Sequence, residues 1–237
     1  MSEYKRSYWG DILVTLHLPR AACFYAFVII GSFLSPVIHW DRLILSLLST
    51  FFFLQLTAYA LDEFKGRHCG TSLTRQHLFL RVWIGSLCAI ITGAYLIFTV
   101  SLYLLPLSLI GIVLIFGYNY ETLGLHSRFV FMVAWGFFPL VGNYYLQSLS
   151  FPTLTVIVWG MFAMVFAYLH IITYGNCGCR VHEKCLDAPR WDCHGQVCNV
   201  RLTLPKSVHK LQKRIASYEV LMLLIIAIAV VVSHYGW

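Results

Sequence analysis

The stretch from Leu43 to Leu61, LILSLLSTFFFLQLTAYAL, contains no charged residue, and the sequence DEFKGR follows it at positions 62–67. An apolar run of about 20 residues is long enough to cross the hydrocarbon core of a bilayer as a helix. The apolar residues are continuous rather than alternating, which favours a helix over a strand of a membrane barrel. We therefore predict a transmembrane helix here, with a cluster of charged residues at its end.

Six other apolar stretches along the chain have a similar character. Hydrophobic residues make up 59% of the 237 residues and charged residues 11%, whereas an ordinary soluble domain carries about 25% charged residues. This composition predicts an all-α integral membrane protein. We expect a bundle of about seven transmembrane helices of the usual spanning length, at positions 21–38, 43–61, 81–99, 101–117, 129–148, 152–174 and 217–235.

The basic residues indicate how these helices are threaded. With seven spans, every one of the 17 Lys and Arg residues except Arg42 falls on the same side of the membrane. Lys and Arg accumulate on the cytoplasmic side, so we predict a multi-pass protein of the cell membrane, inner or plasma, with a cytoplasmic N-terminus. The expected organisation is a cytoplasmic or interfacial segment at 1–20, a six-helix membrane bundle at 21–174, a cytoplasmic Cys-rich and basic loop at 175–216 and a final transmembrane helix at 217–237.

The net charge of +7 does not indicate a nucleic-acid partner. The positive charges lie in the predicted loops, where they set the topology and face anionic lipid headgroups, and no nucleic-acid motif accompanies them. The basic segment from Pro205 to Ser217 is suited to an amphipathic helix that lies on the membrane surface.

Two carboxylates, Asp62 and Glu63, lie at the end of the second predicted span. Charged groups at membrane depth are costly and by default indicate a functional site. Adjacent carboxylates suit Mg²⁺, a hard cation that takes oxygen ligands and bridges substrate phosphates. Lys65 and Arg67 could bind the same phosphate oxygens. The alternative is a solvated helix end with mixed charge, since this pattern is common at helix termini.

Five of the eight cysteines fall within 22 residues of the long loop. Thiols stay reduced in the cytoplasm, which favours metal binding by Zn²⁺ or an iron–sulfur cluster over disulfides. The spacing matches no standard zinc or ferredoxin pattern, so unmodified thiols and disulfides remain alternatives. The candidate ligands are Cys177, Cys179, Cys185, Cys193, Cys198, His182 and His194.

Three parts of the sequence carry a resemblance to a known family. They are AYALDEFKGR at 58–67, the central stretches YNY at 118–120 and AWGFFPLVGNYYLQ at 134–147, and the segment at 170–180. In this order they resemble the UbiA superfamily of intramembrane prenyltransferases, an all-helical bundle usually with nine spans. The resemblance implies Mg²⁺-dependent transfer of an isoprenyl group from its diphosphate to a lipid or aromatic acceptor, at a cytoplasmic site.

The resemblance implies roles for individual residues. Its catalytic, magnesium-binding residues would be Asp62 and Glu63, although the family's next aspartate falls at Lys65, and the second aspartate motif is replaced by the cysteine-rich segment. The diphosphate would be bound by Lys65, Arg67 and Arg128, and the cavity would be lined by Tyr118, Asn119, Tyr120, Glu121 and Trp135.

Two other functions fit the same residues. The chain could be a non-catalytic UbiA-like scaffold that binds a lipid, a quinone or a membrane partner subunit. It could also be a metal-binding membrane subunit whose cysteine loop holds Zn²⁺ or an iron–sulfur cluster. The expected partners of the enzyme are membrane lipids, an isoprenyl diphosphate and a hydrophobic acceptor.

Overall fold

The computed structural model describes residues 7–66, 71–119, 125, 127–178 and 206–235, and throughout these ranges the chain folds into helices without strands. The predicted all-helical fold is confirmed for this part of the chain. In order, the elements are α1 (Tyr8–Thr15), α2 (Leu18–Phe33), α3 (Trp40–Thr50), π1 (Phe51–Ala58), α4 (Tyr59–Gly66), α5 (Arg75–Thr99), α6 (Leu104–Asn119), α7 (Arg128–Met132), π2 (Val133–Phe137), α8 (Phe138–Ser148), α9 (Leu154–Gly178) and α10 (Lys206–Tyr235). Here π1 and π2 are π-helical segments.

Within the described ranges, three helical stretches are long and apolar enough to cross a membrane: Trp40–Phe64, Arg75–Thr99 and Arg128–Ser148. They coincide with the second, third and fifth predicted spans. The other predicted spans correspond to shorter apolar helices, at Ala21–Phe33, Leu104–Leu114, Leu154–His170 and Val220–Tyr235. Only 11% of the apolar part of Arg75–Thr99 is buried inside the protein, so this helix presents an exposed apolar surface of the kind that lipid covers.

The core of the bundle forms around α2. Phe27 and Ile30 of α2 are each 1% exposed, and they pack in one cluster with Leu140 of α8, Phe166 of α9 and Leu223 of α10. Small residues let such helices approach closely, as is usual in membrane proteins. At Gly31, for example, an added Cβ would overlap the carbonyl group of Leu140.

Two π-helical segments interrupt long helical stretches: π1 lies within Trp40–Phe64 and π2 within Arg128–Ser148. In π1, side chains donate to the backbone carbonyls: Thr57 Oγ1 donates to Phe52 O at 3.1 Å, and Arg81 Nη2 donates to Gln55 O at 3.1 Å. Segment π2 ends two residues before Pro139, which lacks the amide hydrogen that a regular helix would use there. Such segments often occur at functional sites, and both line the cavity described below.

Arg42, in the first turn of α3, connects this helix to the end of α8. Its Nη1 donates to Leu146 O at 3.1 Å and to Gln147 O at 2.9 Å. The backbone amide of His39 donates to Gln147 Oε1 at 2.7 Å, and Leu149 turns the chain with a φ of 51°. A positive charge at a helix C-terminus stabilises the last carbonyls and the helix dipole. Arg42, the one basic residue predicted on the opposite side of the membrane, therefore has a structural role.

Replacement of Arg42 by Gln is expected to lower the free energy of unfolding by about 1.5–3 kcal/mol, because two hydrogen bonds from a charged donor are lost. Thermal unfolding of the purified protein in detergent measures the change. Arg42→Lys keeps the charge but not the planar fork, so it should fall between the wild type and Arg42→Gln. Equal melting temperatures for all three proteins would contradict this role.

In two segments the structure adds detail that the sequence analysis did not contain. The N-terminal segment contains a helix, α1, and its Asp11 is buried with 2% exposure. The basic segment around Lys206–Ser217 belongs to α10, a single helix of 30 residues, rather than to a separate surface helix before the last span. The reason is that no Gly or Pro lies between Lys206 and Tyr235, so nothing in this stretch interrupts the helix.

Candidate functional site

The candidate site is a narrow cavity between the helices with a volume of about 10 Å³, which is close to the space that one water molecule needs. Asp62 is the carboxylate in its wall. Leu54, Ala58 and Asp62 follow one another at intervals of four residues along π1 and α4, so they form one stripe facing the cavity. The lining residues are Phe24, Leu54, Ala58, Asp62, Tyr118, Ala134 and Trp135.

Aromatic rings surround Trp135, which π2 carries into this wall. The ring of Phe131 is stacked on Trp135 with a centroid distance of 5.1 Å and an interplanar angle of 16°. Phe24 meets Trp135 edge to face at 5.8 Å, and Tyr59 lies at 5.9 Å. Tyr118 contacts Phe131 at 5.5 Å. The structure places Tyr118 and Trp135 in the same cavity wall as Asp62, and the catalytic roles of these residues stay predictions.

Glu63 is more deeply buried than Asp62, although the two residues are neighbours. Its side chain is 1% exposed, and its Oε1 accepts hydrogen bonds from Thr71 N at 3.0 Å and from Thr71 Oγ1 at 2.6 Å. Successive helical residues point about 100° apart, which is why Asp62 lines the cavity while Glu63 holds the segment that leads into α5. The structure thus gives the adjacent carboxylates separate environments.

Sequence reasoning missed a polar network next to this site. Asp11 Oδ2 accepts from Ser72 N at 2.9 Å and from Ser72 Oγ at 2.5 Å, and Arg81 Nη1 donates to Thr15 Oγ1 at 2.6 Å. These bonds attach α1 to the start of α5. A single acidic residue in the apolar context of GDILV at 10–14 was the available signal, because a buried carboxylate needs hydrogen-bond donors.

A second cavity lies on the other side of Phe24 and Trp135, which line both cavities. It is closed by Phe27, Phe131 and Ala167, and it also contains Cys23 and His170. Sequence reasoning assigned no functional role to Cys23 or to His170. The two residues are 147 positions apart in the chain, so no local pattern could have paired them.

Other predicted site residues lie elsewhere or outside the described part of the chain. Arg128 begins α7 with an exposed side chain and does not line either cavity. The backbones of Lys65, Asn119 and Cys177 lie in α4, α6 and α9, and their side chains are outside the description. The remaining candidates fall outside the described residues: Arg67, Tyr120, Glu121, Cys179, His182, Cys185, Cys193, His194 and Cys198.

Comparison with known proteins adds no assignment. No family model, curated protein or solved structure matches the chain. The functional argument therefore rests on the chemistry of the residues: a carboxylate that can hold a cation, beside aromatic rings that can stabilise positive charge in an apolar cavity.

Proposed function

We propose that the chain is a UbiA-like intramembrane prenyltransferase, which transfers an isoprenyl group from its diphosphate to a lipid or aromatic acceptor with the help of Mg²⁺. The observation that carries the proposal is the position of Asp62 in the wall of an aromatic cavity inside a helical bundle. In this proposal seven helices span the cell membrane and the N-terminus is cytoplasmic. The end of the cavity at Asp62 then faces the cytoplasm, where a water-soluble diphosphate group can be bound.

The lining of the cavity suits a reaction that separates charge, once the helices move apart to admit the isoprenyl group. Breaking the allylic C–O bond leaves a carbocation on the isoprenyl group and places the bonding electron pair on the departing diphosphate. The rings of Tyr118 and Trp135 would stabilise the cation, while the apolar wall would exclude water from it. Capture by the acceptor forms the new bond, and the acceptor loses a proton. Positioning and electrostatic stabilisation would supply most of the catalysis.

Asp62 fits a magnesium ion together with substrate oxygens. Mg²⁺ is commonly held by one or two carboxylates plus substrate phosphates and water. Among the described residues no group of three His, Cys, Asp or Glu side chains could hold a metal by itself, so diphosphate oxygens would complete the ligands. The ion, when bound, would neutralise the charge of the leaving diphosphate. We propose that Lys65, Arg67 and Arg128 also neutralise the charge of the leaving diphosphate. Glu63 would position α4 through its hydrogen bond with Thr71.

Turnover of the purified full chain tests the proposal. The wild type, in detergent with lipid extract and a panel of prenyl diphosphates, is expected to release pyrophosphate when Mg²⁺ is present. Chelation of Mg²⁺ by EDTA should abolish the release, and excess Mg²⁺ should restore it. A monodisperse preparation that releases no pyrophosphate with any donor, or that releases it equally with EDTA, would contradict the proposed reaction.

A second candidate function is a UbiA-like scaffold without catalysis, which would bind a lipid or a membrane partner subunit. The hydrogen bonds that occupy Glu63 favour it, because they leave Asp62 as the carboxylate that lines the cavity. In a variant of this candidate, the cysteine loop would bind Zn²⁺ or an iron–sulfur cluster. Copurification of a defined subunit, with metal in the sample and no pyrophosphate release, would support the scaffold over the enzyme.

A further inference from the structure

We propose that Cys23 and His170 form a nucleophilic thiol–imidazole pair, at which a small apolar α,β-unsaturated carbonyl compound adds covalently to Cys23. This site is distinct from Asp62 and does not depend on the proposed prenyl transfer. Cys23 lies on α2 and His170 on α9, and the two side chains meet where these helices pack.

The geometry brings a nucleophile and a base together. Cys23 Sγ lies 3.8 Å from His170 Nδ1, and each residue is 6% exposed. A neutral imidazole that carries its hydrogen on Nε2 presents a lone pair on Nδ1, which can accept the thiol hydrogen. A cysteine activated by a neighbouring histidine is a recurring arrangement for nucleophilic chemistry.

The cavity beside the pair has a volume of about 10 Å³, close to that of one water molecule, so an electrophile enters only as the surrounding side chains move apart, and their chemistry determines which electrophiles do so. Its other walls are Phe24, Phe27, Phe131, Trp135 and Ala167, which are all apolar. A charged reagent would lose its hydration there without gaining a partner, at a large cost in free energy. A small neutral molecule with a soft electrophilic carbon carries no such cost, and soft carbon is the preferred target of a sulfur nucleophile.

The addition balances without any oxidant or reductant. The proton leaves Cys23 Sγ for His170 Nδ1 as the Sγ–C bond forms at the β-carbon of the unsaturated compound. The C=C π bond breaks, and its electrons move to the enolate. The imidazolium then returns the proton to the α-carbon, so that the histidine regains its neutral form. The thiolate is the reactive form throughout.

N-Ethylmaleimide is the probe, and Cys88 is the matched control within the same chain. Cys88 lies in α5 and is more exposed than Cys23, and the residues that the structure describes give its thiol no side-chain partner. Alkylation rates at both positions are measured on the full chain in detergent by peptide mass spectrometry. We expect Cys23 to react roughly tenfold faster than Cys88, because the base in contact with its thiol outweighs the slowing that apolar burial alone would cause.

The His170→Gln variant removes the base while it keeps a polar side chain in place. Alkylation of Cys23 should then become slower than that of Cys88, whose own rate should not change and so reports that the bundle is intact.

A maleimide that carries a sulfonate group should leave Cys23 unmodified in the wild type. The proposal is overturned if Cys23 reacts more slowly than Cys88 in the wild type, a comparison that needs no variant. It is also overturned if an intact His170→Gln variant alkylates Cys23 at the wild-type rate.

Discussion

Replacement of Asp62 by Asn is expected to lower the rate of Mg²⁺-dependent pyrophosphate release by roughly 10²–10³-fold, the usual effect of removing one preorganised electrostatic group. Asn has almost the same shape as Asp, so the lining of the cavity should survive. What is lost is the negative charge that would hold a divalent cation beside the leaving diphosphate. The measurement is the rate of pyrophosphate release by the two proteins, followed over time at saturating Mg²⁺.

Asp41→Asn is the matched control for this experiment. Asp41 is an exposed carboxylate in the first turn of α3, and it does not line the cavity. The same chemical change there should leave the rate within about twofold of the wild type, since surface charges away from a site have small effects. If Asp62→Asn retained full turnover, or if Asp41→Asn lost as much activity, Asp62 would not be the group that holds the cation.

Glu63→Gln separates the two carboxylates. Gln keeps an oxygen that can accept from Thr71 N and Thr71 Oγ1, but these bonds lose the charge of the acceptor. We expect stability to fall by about 1–2 kcal/mol while the rate per folded molecule stays close to that of the wild type. A rate loss as large as that of Asp62→Asn would place Glu63 in the metal site as well.

The apolar runs were enough to predict where the apolar helices lie, because hydrophobic length is a local property of the chain. The second predicted span, 43–61, lies within the continuous stretch Trp40–Phe64. The π-helical turns in that stretch were not predicted, since they arise where a neighbouring helix supplies donors such as Arg81 to the carbonyl of Gln55. Such contacts depend on tertiary packing, which no window of sequence contains.

The candidate site was predictable in part for the same reason. Asp62 could be found because a charge at the end of an apolar run is locally conspicuous. Asp11 and His170 could not be assigned from the sequence, because their importance depends on partners far away in the chain, Ser72 and Cys23. Asp62 and Glu63 are neighbours in the sequence, but their side chains leave the helix in different directions. Position alone therefore could not show whether the two carboxylates belong to one site.

The close contact between π2 and α9 holds the wall that separates the two cavities. Gly136 lies in π2, directly after Trp135, and an added Cβ would overlap the carbonyl group of Ala163 and lie 2.7 Å from Met164 N. These are backbone atoms of α9, which cannot rotate away as a side chain could. Any residue other than glycine at this position therefore requires the two helices to separate.

Replacement of Gly136 by Ala is expected to lower the free energy of unfolding by about 3 kcal/mol or more, at the upper end of the range for overpacked sites. The methyl group would displace α9, which also carries the buried side chains of Phe166 and His170. The displacement would therefore disturb their packing as well. Unfolding in a detergent titration measures the loss, and the yield of monodisperse protein should fall with it.

Gly93→Ala is the matched control, because the same substitution there meets no atom within 4 Å. Gly93 lies in α5, so the higher helix propensity of alanine should leave the protein unchanged or stabilise it by about 0.5–1 kcal/mol. If alanine destabilises the protein at Gly136 but stabilises it at Gly93, the cost lies in the contact between π2 and α9, because helix propensity favours alanine at both positions. If Gly136→Ala were as stable as the wild type, the helices could not be as close as the structure has them, and the position of Trp135 between the two cavities would lose its support.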